Sequence, residues 1–199
     1  MKIIVVGATG TIGKAVVAAL QDRHDIVKVG GKSGDERADI TDSASIRALF
    51  QRVGRFDALV SATGKVHFGD FAAITEKEVA VGLKDKLMGQ INLVLIGRDH
   101  ANDGGSFTLT SGVLSHDPIR MGACASLVNG AIDAFVRAAA IELPRGLRIN
   151  SISPGLLTES AVAIGDLFRG HETVPAVRVA NAYVKSVEGR HTGRVFDVL

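Results

Sequence analysis

Cysteine, tyrosine and tryptophan are scarce in this sequence. Its 199 residues include one cysteine, Cys124, one tyrosine and no tryptophan. A single cysteine excludes an internal disulfide and indicates a reducing compartment. The six histidines are scattered, so no ligand cluster for a metal ion is predicted. The first apolar run has only four residues, which is shorter than a signal peptide requires. We therefore expect a cytoplasmic protein without a metal site.

A strong excess of charge of one sign is also lacking. The chain has 23 lysine and arginine residues against 21 aspartate and glutamate residues, and both signs are mixed along its length. A net charge of +2 is too small to predict a nucleic-acid or membrane partner. With 46% apolar and 22% charged residues, the composition is that of a folded globular protein. The expected partner is therefore a small-molecule substrate.

Short runs of strand-forming residues alternate with longer segments of helical period along the whole chain. Strands are predicted over residues 2–6, 26–29, 37–40, 56–61, 106–110, 148–153 and 194–198, and helices over about 12–20, 43–53, 75–97, 120–143 and 176–187. This alternation predicts an α/β fold, with a doubly wound, mostly parallel sheet of the Rossmann type and helices on both faces. No linker or repeat interrupts the pattern, so residues 1–199 are predicted to form a single domain.

Two of the predicted helices are long. The first, at about 75–97, opens with the capping-box spacing of Thr75 and Glu78. The second, at 120–143, is apolar nearly all round, which requires burial on two sides. One side faces the sheet, and a second copy of the chain is the candidate for the other. We expect a homodimer or homotetramer that associates through these two helices.

A glycine-rich turn connects the first predicted strand to the first predicted helix. Gly7, Gly10 and Gly13 follow the pattern GxxGxxG. A dinucleotide site needs a tight turn, close approach of the backbone to the pyrophosphate, and a helix N-terminus directed at the charge. The alternative is a glycine-rich turn without a ligand. We predict a dinucleotide-binding domain in which this turn, with Thr9, Thr11 and Ile12, binds the pyrophosphate.

The end of the second predicted strand carries no acidic residue that would bind the ribose hydroxyls of NAD. Lys32 and Ser33 stand there instead and can hold a 2′-phosphate, so the sequence favours NADP over NAD. Asp35 and Glu36 follow closely and would dilute the positive field. A solvated lysine without a ligand therefore remains the alternative.

Further motifs resemble the short-chain dehydrogenase/reductase family. Besides the glycine turn, they are the strand ends Ser61-Ala62-Thr63-Gly64 and Ser153-Pro154-Gly155 and the helix residues around Asp133-Ala134-Phe135. The resemblance covers essentially the whole chain. It implies a nicotinamide cofactor and the strand order 3-2-1-4-5-6-7. It also implies that adenine lies near Asp39 and Ile40, the inner ribose near residues 61–64, and the nicotinamide carboxamide near Thr158 or Ser160.

The chain departs from the family at the catalytic positions. Family members use an asparagine, a serine, and a tyrosine and lysine spaced as YxxxK. The resemblance places the serine at Ser111, but the tyrosine position falls on Ala125 and the lysine position on Asn129. The asparagine position falls on Lys86, so asparagine and lysine have exchanged places. We predict Ser111, Lys86 and Asn129 as the catalytic set, with Lys86 as the proton donor and Asn129 bound to a ribose hydroxyl.

Other interpretations stay open. Lys86 can instead be an exposed lysine on a charged helix face. His67 or His116 can supply the proton because histidine titrates near neutral pH, and Lys65 or water are further candidates. Tyr183 lies on a later helix and is expected to be a partly buried packing residue. The predicted function is an NADP(H)-dependent oxidoreductase that acts on a small carbonyl or alcohol with an unusual proton donor. The alternative is a catalytically inactive NAD(P)-binding sensor or regulatory protein.

Overall fold

The computed structural model describes residues 1–199. Its strands are β1 (Lys2–Val6), β2 (Asp25–Gly30), β3 (Glu36–Arg37), β4 (Phe56–Ser61), β5 (Ala101–Thr110), β6 (Arg148–Pro154), β7 (Leu156–Leu157), β8 (Thr173–Val174) and β9 (Val195–Val198). Its helices are α1 (Thr11–Leu20), α2 (Ser43–Val53), α3 (Glu76–Gly82), α4 (Gly89–Gly97), α5 (Ala123–Glu142), α6 (Ala161–Ile164) and α7 (Ala176–Glu188).

Seven strands form one parallel sheet in the order β3-β2-β1-β4-β5-β6-β9. The predicted order and the Rossmann-type fold are confirmed, with β9 in the seventh position. The short strands β7 and β8 pair only with each other, outside this sheet. The strand order reverses between β1 and β4, and open α/β sheets bind ligands at the carboxyl ends of the strands at such a point. The glycine turn lies there because it follows β1.

The sheet separates two apolar layers. Alternate residues of β1 point to opposite faces: Ile4 and Val6 enter the layer shared with α2, α4 and α5, whereas Ile3 and Val5 enter the layer shared with α1 and α7. The sheet is therefore buried on both faces, as the continuous apolar strands of a parallel sheet require.

Tyr183 belongs to the second of these layers. It is fully buried on α7, and its hydroxyl is hydrogen-bonded to the hydroxyl of Thr110. Burial raises the pKa of Tyr183 well above its usual value. It is more deeply buried than the sequence predicts, and its role is packing.

The first long helix contains a wide turn in its middle. Thr75 and Glu78 form the predicted capping box at its start. Residues Leu83–Met88, between α3 and α4, then form a π-helical segment, termed the π turn below. Such segments are rare and occur often at functional sites. Lys86 lies on this turn.

Parts of both long helices remain exposed in the single chain. The side chain of Leu127 on α5 is 50% exposed and that of Ile141 is 87% exposed, and Leu95 on α4 is also exposed. By length and composition α5 would pass for a membrane-spanning helix, but core helices of soluble proteins pass the same test. Association of two copies through these faces stays a prediction.

Candidate active site

Two glycines of the turn after β1 are required by the fold itself. Gly7 adopts a φ of +84°, and a Cβ there would lie 2.4 Å from the carbonyl oxygen of Ala62. The Gly7 amide donates a hydrogen bond to the carbonyl of Val29 at 2.8 Å. A Cβ on Gly13 would lie 2.0 Å from the Gly7 carbonyl oxygen. Both glycines thus allow close packing of α1 against the strands.

Gly10 has no such internal reason to be glycine. A Cβ there would meet only the Gly7 carbonyl oxygen, at an ordinary distance of 3.4 Å. Gly10 is exposed and is the N-cap of α1, where no side chain caps the helix. The first amides of α1 therefore lack side-chain partners, as in helix ends that bind phosphate. A pyrophosphate that approaches the backbone closely explains the glycine, and the turn fits a dinucleotide.

A cleft of about 690 Å³ extends from this turn to the end of β2. The residues predicted to bind cofactor that line the cleft are Gly7, Thr9, Gly10, Lys32, Ser33, Asp39, Ile40, Ala62 and Thr63. Thr11, Ile12 and Gly13 form the first turn of α1 beside it. The cleft thus brings together residues from the carboxyl ends of three adjacent strands, β2, β1 and β4.

The turn after β2 presents one lysine to this cleft. Lys32 and Ser33 are exposed there. The Asp35 carboxylate accepts the backbone amide of Lys28 at 2.9 Å, and Glu36 pairs with Arg52 at 2.8 Å. Neither acid lines the cleft. The two acids expected to weaken the positive field of Lys32 are therefore engaged elsewhere.

Asp39 and Ile40 form a wall of the cleft. The Asp39 carboxylate accepts hydrogen bonds from the hydroxyl and the amide of Thr41, both at 2.8 Å, and these bonds lower the pKa of Asp39. Ile40 is buried and packs against Gly89, where a Cβ would lie 2.6 Å from its Cδ1. The wall is therefore fixed before a ligand binds.

Two charged residues that were not predicted as cofactor ligands, Asp85 and Lys65, also line the cleft. The Asp85 carboxylate on the π turn accepts the backbone amide of Lys65 at 2.8 Å, which ties the loop after β4 to the helix. Lys65 directly follows the predicted motif at 61–64, so its place in the cleft could have been inferred from the sequence. Asp85 has no sequence signal, because only the fold brings the π turn to the cleft.

Lys86 reaches the end of β5 from the π turn. Its ammonium donates a hydrogen bond to the carbonyl oxygen of Ser111 at 2.9 Å. Its aliphatic stem packs on Gly64, which has a φ of +134° and where a Cβ would lie 2.5 Å from the Lys86 Cγ. Gly64 leaves the room that this stem occupies. The structure thus places two of the predicted catalytic residues in contact.

Asn129 and Asp133 lie one turn apart on the buried face of α5. The side-chain amide nitrogen of Asn129 packs against Gly112, 2.8 Å from where a Cβ would stand. The side-chain oxygen of Asn129 is buried and has no hydrogen-bond partner within the chain. Since an unsatisfied buried acceptor is costly, this oxygen is suited to accept a bond from a bound hydroxyl. Asp133 accepts the hydroxyl of Ser151 at 2.8 Å.

The surroundings of Lys86 change its ionisation. The residue as a whole is half-buried, but its ammonium is enclosed. Burial lowers the pKa of Lys86 and the negative charge of Asp133 offsets part of this effect, so that the pKa is lowered to about 8. A lysine in this range exchanges protons readily near neutral pH, as a general acid must.

Gln90 fixes the position of the π turn against β5. Its side-chain oxygen accepts the amide of Thr110 at 2.8 Å, and its side-chain nitrogen donates to the carbonyls of Thr110 at 2.9 Å and Lys86 at 3.1 Å. Gln90 is fully buried. It is not among the residues predicted from the sequence, although a glutamine at the start of a mostly apolar helix is a signal for such a contact.

The family's tyrosine position is covered by an apolar layer, termed the apolar cap. Its five buried members are Val113, Leu114, Ala125, Leu156 and Phe168. The segments after β5 and β6 contribute most of them. Ser111 comes two residues before Val113 and is only 2% exposed. Alanine carries no exchangeable proton, so the side chain at this position cannot donate one.

The predicted residues after β6 lie beside the apolar cap and not in the cleft. Pro154 is buried at the end of β6, and the Gly155 amide donates to the carbonyl of Val198 at 2.9 Å. Thr158 is exposed, and its hydroxyl donates to that of Thr173 at 3.1 Å. These residues remain candidates for contact with the nicotinamide end.

The two histidine candidates are not joined to the catalytic set. His116 is exposed and lies 3.9 Å from the carboxylate of Asp197. His67 is half-buried, and its ring lies beside Gly69. Neither ring has a hydrogen bond to Ser111 or Lys86, so Lys86 is the titratable side chain that the structure places beside Ser111.

Comparison with known proteins gives consistent matches over nearly the whole chain. A family model described as enoyl-(acyl carrier protein) reductase matches residues 6–186. The crystal structure of the protein lin1944 from Listeria innocua is 47% identical, with a TM-score of 0.99 and 100% of both chains covered. A small-chain dehydrogenase in complex with NADPH is 27% identical, with a TM-score of 0.89 and coverage of 100% of this chain and 96% of that chain. No curated protein sequence matches.

Proposed function

Because the chain belongs to the short-chain dehydrogenase/reductase family, we propose that it is an NADP(H)-dependent oxidoreductase that reduces a small carbonyl compound, or oxidises the alcohol, with Lys86 as proton donor. Family membership supports NAD(P)-dependent oxidoreductase chemistry in general. The observation that carries the specific proposal is the bond between the Lys86 ammonium and the Ser111 carbonyl. This bond places a titratable group at the end of β5, where the family's catalytic serine position lies.

Three parts of the chain have separate roles in the proposed reaction. The turn at Gly10 and the amides that open α1 bind the pyrophosphate. Lys86 donates a proton to the carbonyl oxygen as that oxygen becomes negative, and the resulting neutral amine regains a proton from solvent. Asn129 binds a ribose hydroxyl through its free side-chain oxygen. A hydride for the carbonyl carbon is what reduced nicotinamide supplies when bound.

Three features support NADP over NAD. Lys32 and Ser33 are exposed in the cleft, no acid stands at the end of β2, and the two nearby acids have other partners. Lysine binds phosphate as a point charge. One related small-chain dehydrogenase is known in complex with NADPH.

The proposal is tested by titrating the protein with NADPH and with NADH and following the emission of the reduced nicotinamide. A panel of small ketones and aldehydes is then added at high protein concentration. We expect NADPH to bind more tightly and to be oxidised with at least one carbonyl compound. Absence of binding by both dinucleotides would contradict the proposed function.

Replacing Lys32 by glutamate should weaken NADPH binding by about 10- to 100-fold, because a charge-assisted contact to the 2′-phosphate is lost. NADH has no 2′-phosphate, so its affinity should change little or improve. Lys77→Glu, at an exposed position of α3 away from the cleft, is the matched control and should affect neither. Equal losses for NADPH and NADH would show that Lys32 does not read the 2′-phosphate.

A second candidate function, a non-catalytic NAD(P)-binding sensor, is supported by the apolar cap. Ser111 and Ala125 are buried beneath or within it, whereas Gly10 and Lys32 are exposed in the cleft. An accessible nucleotide cleft beside a covered reaction position is what a protein that only reports nucleotide binding requires. Tight NADPH binding without oxidation in the presence of every carbonyl compound would favour this function.

A further inference from the structure

A second cavity, of about 580 Å³, lies outside the dinucleotide cleft. It is formed by residues 118–121, ahead of α5, and by the segment 166–171, after β6. Both segments belong to the carboxyl edge of the sheet, where this fold type binds its ligands. We call it the arginine cavity, because Arg120 and Arg169 line it from the two sides.

The charges in the arginine cavity are mainly positive. Neither Arg120 nor Arg169 takes part in any ion pair of the chain. His171 also lines the cavity and is 3.6 Å from the carboxylate of Asp117. Asp166 is the one acid in the lining. Two guanidinium groups without acidic partners that share one cavity are suited to a carboxylate or a phosphate, which they bind through paired N–H donors.

The backbone of the cavity is held in an unusual conformation. Met121 has a φ of +64°, which is rare for a residue with a side chain and is found at functional sites. The Met121 carbonyl accepts the amide of Gly69 at 3.1 Å, which holds this conformation against the loop after β4. The loop that carries Arg120 is therefore anchored and not free.

The floor of the cavity connects it to the reaction position. Ile119 and Leu167 line the cavity, and both pack against the apolar cap that contains Ala125. Two residues that line the cavity therefore pack against the cluster that includes the family's tyrosine position. A ligand with an anionic end and a short apolar segment would match the two arginines and the apolar side chains beside them.

We infer that the arginine cavity binds an oxyanion group of the substrate, so that the substrate is a carbonyl compound that also carries a carboxylate or a phosphate. This inference rests on the proposed function, and it names the substrate class of that same site. Arg120 and Arg169 bind the oxyanion, while the carbonyl end is directed under the cap toward Ser111.

The test compares 4-oxopentanoate with its methyl ester, which keeps the carbonyl and loses the charge. Binding is followed by NMR through the methyl signals of the ligand itself, in the full chain with the oxidised dinucleotide NADP⁺ present so that the carbonyl is not reduced. We expect the acid to bind about tenfold or more tightly than the ester. In the variant Arg120→Gln/Arg169→Gln the acid should bind no better than the ester. Arg47→Gln, at an exposed position of α2, is the control and should change nothing.

Two binding results would overturn the inference. Equal binding of acid and ester would exclude an oxyanion site, and tight binding of inorganic phosphate without preference for the acid would assign the cavity to a free anion. Because binding is measured without turnover, the test can contradict the oxyanion site without contradicting the proposed oxidoreductase function, and the reverse. Oxidation of NADPH by neutral ketones without a preference for acids removes only the oxyanion site. Selective binding of the acid without NADPH oxidation removes only the oxidoreductase.

Discussion

Replacing Lys86 by methionine is expected to lower the rate of carbonyl reduction by about 10²- to 10⁴-fold, the range that a general acid contributes. Methionine keeps the length of the side chain and its packing on Gly64 but carries no proton. The melting temperature should change by less than about 4 °C, which corresponds to about 1 kcal/mol in a chain of this size. The substitution removes one hydrogen bond, but it also removes an enclosed ammonium. Rates are measured by loss of NADPH absorbance under single-turnover and steady-state conditions.

A second substitution separates charge from proton transfer. Lys86→Arg keeps a positive charge but does not release a proton at any working pH. If Lys86 only orients or attracts the cofactor, Lys86→Arg should retain most of the activity. If it donates the proton, the arginine variant should be as slow as Lys86→Met. Lys77→Met, an exposed lysine on α3, should behave like the unchanged protein, and full activity of Lys86→Met would exclude the proposed donor.

The pH dependence follows from the lowered pKa of Lys86, which is about 8. The ammonium is present below this value and can donate, so carbonyl reduction should be fastest there and should fall as the pH rises through about 8. Alcohol oxidation needs the neutral amine as acceptor and should rise over the same interval. Profiles of the rate against pH in both directions check this, and a profile without a transition between pH 7 and 9 would contradict it.

Replacing Gly10 by valine should abolish detectable NADPH binding while the fold is retained. The valine side chain would enter the cleft, where only the Gly7 carbonyl lies within 4 Å of a Cβ. Loss of two amide bonds to phosphate, each worth about 1.5–3 kcal/mol, weakens binding by about 100-fold or more. The extended backbone at Gly10, with φ −79° and ψ 174°, accepts a β-branched residue.

Gly13→Ala provides the contrast to Gly10→Val. The added methyl group would lie 2.0 Å from the Gly7 carbonyl oxygen, so the fold itself must shift. We expect a clear loss of thermal stability at this position, whereas Gly10→Val should melt near the unchanged protein. Calorimetric titration with NADPH and thermal unfolding distinguish the two effects. Unchanged NADPH affinity in Gly10→Val would show that the pyrophosphate does not bind at this turn.

The sheet and the glycine turn were predictable because their signals are local. The apolar run 2–6 and the three glycines fix a strand, a tight turn and a helix start. The ends of some strands were less predictable. The fifth strand begins at Ala101 instead of 106, because Ala101 pairs with Phe56 across a bulge. The third strand covers Glu36–Arg37 instead of the predicted residues 37–40.

The catalytic arrangement was predictable only as far as the resemblance aligned it. The resemblance identifies Lys86 and Ser111 as family positions. It does not show that the Lys86 ammonium reaches the end of β5. That contact needs the π turn, room at Gly64 and the hydrogen bonds of Gln90. None of these is a local pattern. Asp85 and Asp133 were not predicted for the same reason, since their partners lie 20 or more residues away or on another element.

The complete burial of Tyr183 has an optical consequence. The chain has no tryptophan, so this tyrosine dominates its near-ultraviolet signal. Its ring lies in the core, and its hydroxyl is bonded to Thr110, the residue before Ser111. Tyrosine absorbance and circular dichroism should therefore report loss of the core on unfolding. Emission from reduced nicotinamide can be recorded without energy transfer from indole rings.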